Sequence, residues 1–186
     1  NMLRSNDLIW SYVVNNYMLG KDPMPFDLLY WNADSTRMPA GVHSFYLREC
    51  YMANKLAQGK MVLDNVRIDL KKVKIPVYNL AAREDHIAPL ASVFRLGRFF
   101  GGTTKLVVSG SGHIAGVVNP PDANKYQYWT NDKWAPTLDE WLKGATEHPG
   151  SWWPDWAKWI KDKSGALIPA PTPGSGKLKV IEDAPG

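Results

Sequence analysis

Ile75-Pro76-Val77-Tyr78-Asn79-Leu80-Ala81 and Lys105-Leu106-Val107-Val108-Ser109 are the two stretches that decide the fold. Each is a short, nearly unbroken apolar run, the pattern of a strand buried on both faces. Between them, Ala88 to Phe100 has the length and spacing of a helix, and Gly101-Gly102 supplies its stop. Strand, helix and strand in that order predict two parallel neighbours in an α/β sheet.

Each predicted strand runs into a loop that carries one titratable candidate. After the first comes Arg83-Glu84-Asp85-His86-Ile87-Ala88-Pro89, and after the second Gly110-Ser111-Gly112-His113-Ile114-Ala115-Gly116. Asp85 and His113 therefore fall just beyond strand C-termini, where open α/β sheets place their ligand sites. A histidine acting as general base must exchange a proton near neutral pH, and a carboxylate on its other nitrogen fixes the tautomer and stabilises the imidazolium. That is the role expected of Asp85 towards His113, with Gly110, Gly112 and Gly116 allowing a tight backbone path. The alternative is an ordinary loop histidine beside a surface aspartate. In a nucleophile, acid, histidine order, the pair reads as the last third of an α/β-hydrolase core.

The nucleophile is missing from this pattern. An elbow requires Gly-x-Ser-x-Gly or its cysteine version, and Ser109 and Ser111 lack a glycine two residues before them. Cys50, the single cysteine, lies in a predicted helix and is read as structural. His86 adjoins Asp85, but neighbours on an extended backbone point opposite ways, so it is expected to pack near the pair without being oriented by it. His43 and His148 are read as structural, in helix-like or turn settings. No metal-binding spacing is present, so no metal is expected. Gly174-Ser175-Gly176-Lys177 lacks the remaining residues of a phosphate loop and reads as linker.

The chain has 186 residues, 45% of them apolar and 12% aromatic, enough for a substantial core. A net charge of +4, with basic residues scattered among acids, argues against nucleic-acid binding. The cluster Lys71-Lys72-Val73-Lys74 is read as shielding a strand entry. One cysteine permits no internal disulfide, which favours a reducing, cytoplasmic compartment. No run approaches the roughly 18 apolar residues of a membrane span, and no signal peptide is visible. The pattern is expected to be a piece of a longer polypeptide.

Elsewhere, apolar spacing predicts helices from Asn6 to about Gly20 and from His43 to Leu56, with a proline-broken cover between them. Met61-Val62-Leu63 and Val66 to Leu70 flank Asp64-Asn65 as a small hairpin. Thr137-Leu138-Asp139-Glu140 is a capping-box pattern opening a helix that runs to about Gly144, and Pro154 opens another ending near Gly165. In the latter, Trp152, Trp153, Trp156, Trp159 and Ile160 share one face and are expected to dock on the sheet. Ile168 to Gly176 is a linker by composition, and Leu178 to Ile181 is expected to lie along another surface.

Several motifs follow each other as in class I polyhydroxyalkanoate synthases. They are Asn6-Asp7-Leu8-Ile9-Trp10, Pro25-Phe26-Asp27-Leu28-Leu29-Tyr30-Trp31-Asn32, the two candidate loops with the latter extended to Pro121, Tyr128-Trp129-Thr130-Asn131-Asp132, and Gly150-Ser151-Trp152-Trp153-Pro154-Asp155-Trp156. Over nearly its whole length the chain resembles the C-terminal part of that family's catalytic domain. The resemblance implies a C-terminal portion of an α/β-hydrolase fold with part of a helical cap subdomain. It assigns residues 1–60 to the end of the cap, 61–136 to the core carrying Asp and His, 137–166 to tryptophan-rich helices and 167–186 to an extended tail.

It further implies a Cys-Asp-His triad, with Asp85 and His113 matching the family's aspartate and histidine, that polymerises (R)-3-hydroxyacyl-CoA to polyester. Coenzyme A is then the substrate's leaving group and no separate cofactor is expected. The implied partners are the acyl-CoA, the growing polyester, a second copy in a homodimer and the polyester granule surface. The Gly-x-Cys-x-Gly elbow, the first strands and the oxyanion donors are absent from this sequence, so the chain alone is expected to be inactive. Two rival readings remain: a serine esterase or polyester depolymerase with the same pair, and a binding module whose tryptophans form a flat platform for a polymer.

Overall fold

The structure, a computed structural model, describes residues 6–23, 34 and 36–183. The predicted cover and the motif beginning at Pro25 lie largely outside the described residues. The chain forms two compact units, Asn1–Ala53 and Asn54–Gly186.

The first unit is helical. Asn6–Trp10 and Val13–Met18 are wide-wound π segments, and α1 (Ala40–Phe45) runs directly into a further π segment, Tyr46–Met52. The wide winding shows in five-residue closures such as Leu19 N–H to the Val14 carbonyl and Ala53 N–H to the Arg48 carbonyl. Both helices expected here are present, the second starting at Ala40 and ending before Ala53. Cys50 is a half-buried free thiol within the last segment.

The second unit opens with the predicted hairpin, β1 (Val62–Leu63) antiparallel to β2 (Val66–Arg67). Asp64 and Asn65 turn it with φ of 46° and 61°, the pair of left-handed residues that a two-residue hairpin loop requires. The main sheet holds β3 (Val77–Ala82), β4 (Thr104–Ser109), β5 (Gln127–Thr130) and β6 (Thr146–Pro149), hydrogen-bonded in that order. β3 and β4 are parallel, as expected, and β5 and β6 add antiparallel strands. The last two differ from the expectation: His148, which reads as lying in a turn or helix, is on β6 and pairs with Tyr128.

The register Tyr78↔Lys105, Asn79↔Leu106 and Ala81↔Val108 sorts the two faces of the sheet. Ala81, Leu106 and Val108 form the core with Phe94 of α2 (Leu90–Leu96), Trp129 and Trp141 of α3 (Leu138–Lys143). Tyr78 and Lys105 point the other way and meet α4 (Trp153–Lys161): the Tyr78 hydroxyl donates to Asp155 Oδ2 at 2.8 Å, and Lys105 Nζ reaches both Asp155 oxygens at 2.7 Å. Helices thus cover both faces of a mixed sheet. Burial pushes the Tyr78 hydroxyl far above its ordinary pKa, and the Asp155 hydrogen bond adds to the rise, so it stays a neutral donor.

α2 is shorter than the expected Ala88 to Phe100. Pro89 precedes it, and the Ala88 N–H is taken by Asp85 Oδ1, so helical bonding begins only at Leu90. Beyond Leu96 the chain tightens into three-residue closures at Arg98 and Phe99. The capping box at Thr137 forms, with Thr137 Oγ1 accepting from Glu140 N–H and Glu140 Oε2 accepting from Thr137 N–H. The expected common face on α4 divides. Trp159 and Trp152 pack against Tyr78 at 5.3 and 6.1 Å between ring centroids, whereas Trp156 is 43% exposed. From Gly165 to Asp183 there is no helix or strand, and Leu178 and Ile181 are exposed instead of lying on a surface.

Candidate active site

Two backbone hydrogen bonds bring the candidate loops together beyond the parallel strands. Arg83 N–H donates to the Ser109 carbonyl at 2.8 Å, and Glu84 N–H donates to the Ser111 carbonyl at 3.0 Å. Because β3 and β4 run parallel, their C-terminal loops leave the same sheet edge and zip side by side. Ser111 takes a φ of 70°, a left-handed turn that redirects the chain towards His113. A helical turn follows, closed by Gly116 N–H to the Gly112 carbonyl and by Val117 and Val118 N–H to the Ile114 carbonyl.

The geometry joins the predicted pair. His113 Nδ1 lies 2.8 Å from Asp85 Oδ2, and Asp85 Oδ1 accepts from the N–H groups of Ile87 and Ala88 at 2.8 and 2.9 Å. The Asp85 side chain is 6% exposed and that of His113 is 44% exposed. Burial pushes the Asp85 pKa up, but hydrogen bonds from Ala88, His113 and Ile87 outweigh it, so the group lies below its usual value. An ionised carboxylate only accepts, so Nδ1 is the donor in this contact, and in the neutral form of the ring Nε2 is the acceptor. The sheltered carboxylate and accessible imidazole are the arrangement of a general base and its orienting group.

His86 is exposed and has no part in this pairing, and His43 is exposed on α1. His148 has a partner that spacing did not reveal: its Nε2 is 2.8 Å from Thr130 Oγ1, and its ring stacks on Tyr128 at 4.8 Å. Ser109 is buried, with its hydroxyl directed to the Ala81 carbonyl at 3.4 Å, and cannot act as a nucleophile. Among the described residues, no three His, Cys, Asp or Glu side chains gather to hold a metal ion. Beneath the loops, the Arg83 guanidinium lies 4.7 Å from the Trp129 ring centroid, and the Trp129 indole donates to Glu147 Oε2 at 3.0 Å.

The tryptophans of α4 do not make a flat platform. The Trp152 and Trp153 rings stand at 77° to each other, and both indole N–H groups point inward to one backbone carbonyl, that of Val117, at 3.1 and 3.0 Å.

No protein-family model matches the chain. Comparison with curated proteins finds a poly(3-hydroxyalkanoate) polymerase subunit of Rhizobium etli, 59% identical over 186 residues, all of this chain and 29% of the relative. A poly(3-hydroxyalkanoate) polymerase of Methylorubrum extorquens is 60% identical over the full chain and 31% of its own length, and the polymerase subunit of Cupriavidus necator is 44% identical over the full chain and 32% of its own. Over its whole length the chain is similar to one part of these poly(3-hydroxyalkanoate) polymerases. It spans about a third of the length of the synthases it matches. At the shared C-terminal edge of β3 and β4, the Asp85–His113 pair sets an exposed imidazole against a buried carboxylate.

Proposed function

We propose that the chain supplies the acid and the base of a Cys-Asp-His triad in a polyhydroxyalkanoate synthase, on an α/β-hydrolase core whose other strands and cysteine lie in sequence not contained here. The observation that carries this reading is the 2.8 Å contact between His113 Nδ1 and Asp85 Oδ2 at the C-terminal edge of parallel strands, in a chain similar throughout to such polymerases. Residues 1–60 form the end of a cap subdomain in this reading. The substrates are (R)-3-hydroxyacyl-CoA and the growing polyester, and the enzyme works as a homodimer at the surface of cytoplasmic polyester granules. Among the described residues, no helix is long and apolar enough to cross a membrane.

His113 Nε2 takes the proton of the cysteine thiol while the Asp85 carboxylate holds the resulting imidazolium. The thiolate attacks the thioester carbonyl, the carbon–sulfur bond to coenzyme A breaks, and the departing thiolate takes up the proton. Exchange of one thioester for another is nearly balanced in energy, so this step depends on activation of the nucleophile. The hydroxyl of a second hydroxyacyl unit then gives its proton to the same nitrogen and attacks the enzyme-bound acyl group; one ester bond forms, the acyl–sulfur bond to the cysteine breaks, and the released thiolate recovers the proton.

The test is a full-length synthase containing this chain, given (R)-3-hydroxybutyryl-CoA while free thiol and sedimentable polyester are measured together. Wild type is expected to release coenzyme A and form polymer, and His113→Gln to lose both. Release of free hydroxy acid without polymer would make the protein a hydrolase and overturn the reading.

A further inference from the structure

The turn that carries His113 is fixed from its far end by α4. Val117 lies four residues after His113, and its carbonyl accepts two indole N–H groups, from Trp152 at 3.1 Å and Trp153 at 3.0 Å. A carbonyl has two lone pairs, so this acceptor is fully used. The donors are themselves anchored. Trp153 N–H donates to Ser151 Oγ at 3.1 Å, the Trp152 ring lies 6.1 Å from that of Tyr78, and Asp155 one turn on is tied to Tyr78 and Lys105 of the sheet. Val117, by contrast, is 37% exposed as a residue, and Ile114 and Val118 are 68% and 61% exposed, so apolar packing at these residues does little to hold the turn.

We propose that Trp152 and Trp153 are positioning residues: by donating both indole N–H groups to the Val117 carbonyl they hold the Gly112–Val118 turn, and with it the His113 imidazole, in reach of Asp85. The inference rests on the reading of His113 as the general base. The Asp85 carboxylate is already fixed by Ile87 and Ala88, so the imidazole is the member of the pair whose place depends on its own turn. General-base catalysis is sensitive to such placement, because a displacement of about 1 Å can cost on the order of a hundredfold in rate.

Phenylalanine keeps an aromatic ring and removes the donor. The test is the double variant Trp152→Phe/Trp153→Phe in the full-length synthase, beside Trp156→Phe, a ring on the same helix with 43% exposure whose indole is not bonded to Val117. Three readouts are combined: kcat and KM for coenzyme A release, normalised to folded protein; thermal unfolding; and the downfield proton resonance of the Nδ1–H···Oδ2 hydrogen bond. The double variant is expected to lose about tenfold or more in kcat with KM changed less than about twofold, and to broaden or lose that resonance. Trp156→Phe is expected to keep all three. A double variant with wild-type kcat and an intact resonance overturns the inference, and so does a loss of activity explained by unfolded protein alone. If Asp85→Asn in the same background leaves coenzyme A release unchanged, the triad reading itself has failed, an outcome distinct from failure of the indole contact.

Discussion

Gly116→Ala adds one methyl group at the point where the turn that carries His113 meets the sheet, and its effect can be worked from distances. A Cβ at Gly116 would stand 2.7 Å from the Gly112 carbonyl oxygen, 2.8 Å from Ala82 Cβ and 2.8 Å from the Gly110 carbonyl oxygen. Carbon atoms settle at about 3.5–4.0 Å, so the Ala82 methyl alone, at 2.8 Å, demands a retreat of about 0.7 Å. None of the three atoms lies at the end of a flexible side chain. Two are backbone of the turn, and the third ends β3, so the turn must move relative to the strand leading to Asp85. Overpacking of this kind costs about 1–3 kcal/mol. A shift approaching 1 Å at His113 should lower kcat by roughly ten- to a hundredfold. Gly112→Ala is the internal comparison, because its added Cβ meets only the Glu84 carbonyl oxygen at 3.7 Å, an ordinary contact. Both variants are to be made in the full-length synthase and followed by coenzyme A release and thermal unfolding. Wild-type kcat for Gly116→Ala, or equal losses in the two variants, would refute the placement of this turn.

Asp155→Ala strands the Lys105 amine and the Tyr78 hydroxyl between β3, β4 and α4. With side chains 29% and 19% exposed, Lys105 and Asp155 are only partly buried, so the loss should be about 2 kcal/mol, less than the 3–5 kcal/mol of a fully buried pair; urea unfolding measures it, and a loss under about 0.5 kcal/mol would contradict it. Thr137→Ala removes the oxygen that accepts from Glu140 N–H and should cost about 1 kcal/mol in the same experiment, with no effect there if the cap is unimportant. Because the folded-state pKa of Asp85 is depressed, its stabilisation is complete above the unfolded value of about 3.9 and fades as pH falls through the lower folded value. The stability advantage of wild type over Asp85→Asn should therefore shrink between about pH 5 and pH 2; an advantage that grows on acidification would reverse the sign.

The parts of this molecule legible in the sequence are those governed by local pattern. β3 and β4 show as apolar runs because a parallel strand covered on both faces needs apolar side chains at nearly every position. The capping box at Thr137 and the turn at Asp64-Asn65 show because a few neighbouring residues determine them. Asp85 and His113 were legible as candidates because both follow such strands, although the strand register and the backbone bonds from Arg83 and Glu84 are what bring them together. β5 and β6 stayed hidden: Gln127–Thr130 buries only Trp129, and Thr146–Pro149 is a mostly exposed edge strand ending in proline, so neither has a strong alternation. Their formation depends on partners distant in sequence. The same reasoning explains His148, whose hydrogen bond to Thr130 exists only across that pairing. The Val117 acceptor has no signature at all, since a backbone carbonyl is the same at every residue. The π winding of the first unit was likewise invisible, because apolar spacing alone does not separate it from an ordinary helix.

Whether Asp85 orients His113 for proton transfer is read in the pre-steady-state burst of coenzyme A from a full-length synthase carrying Asp85→Asn. The amide keeps the size of the side chain but is neutral and presents a donor as well as an acceptor, so the tautomer and the imidazolium lose their support. The burst rate is expected to fall about a hundredfold or more, with the substrate concentration at half-saturation changed only a few-fold. A burst at the wild-type rate would mean that His113 does not depend on Asp85.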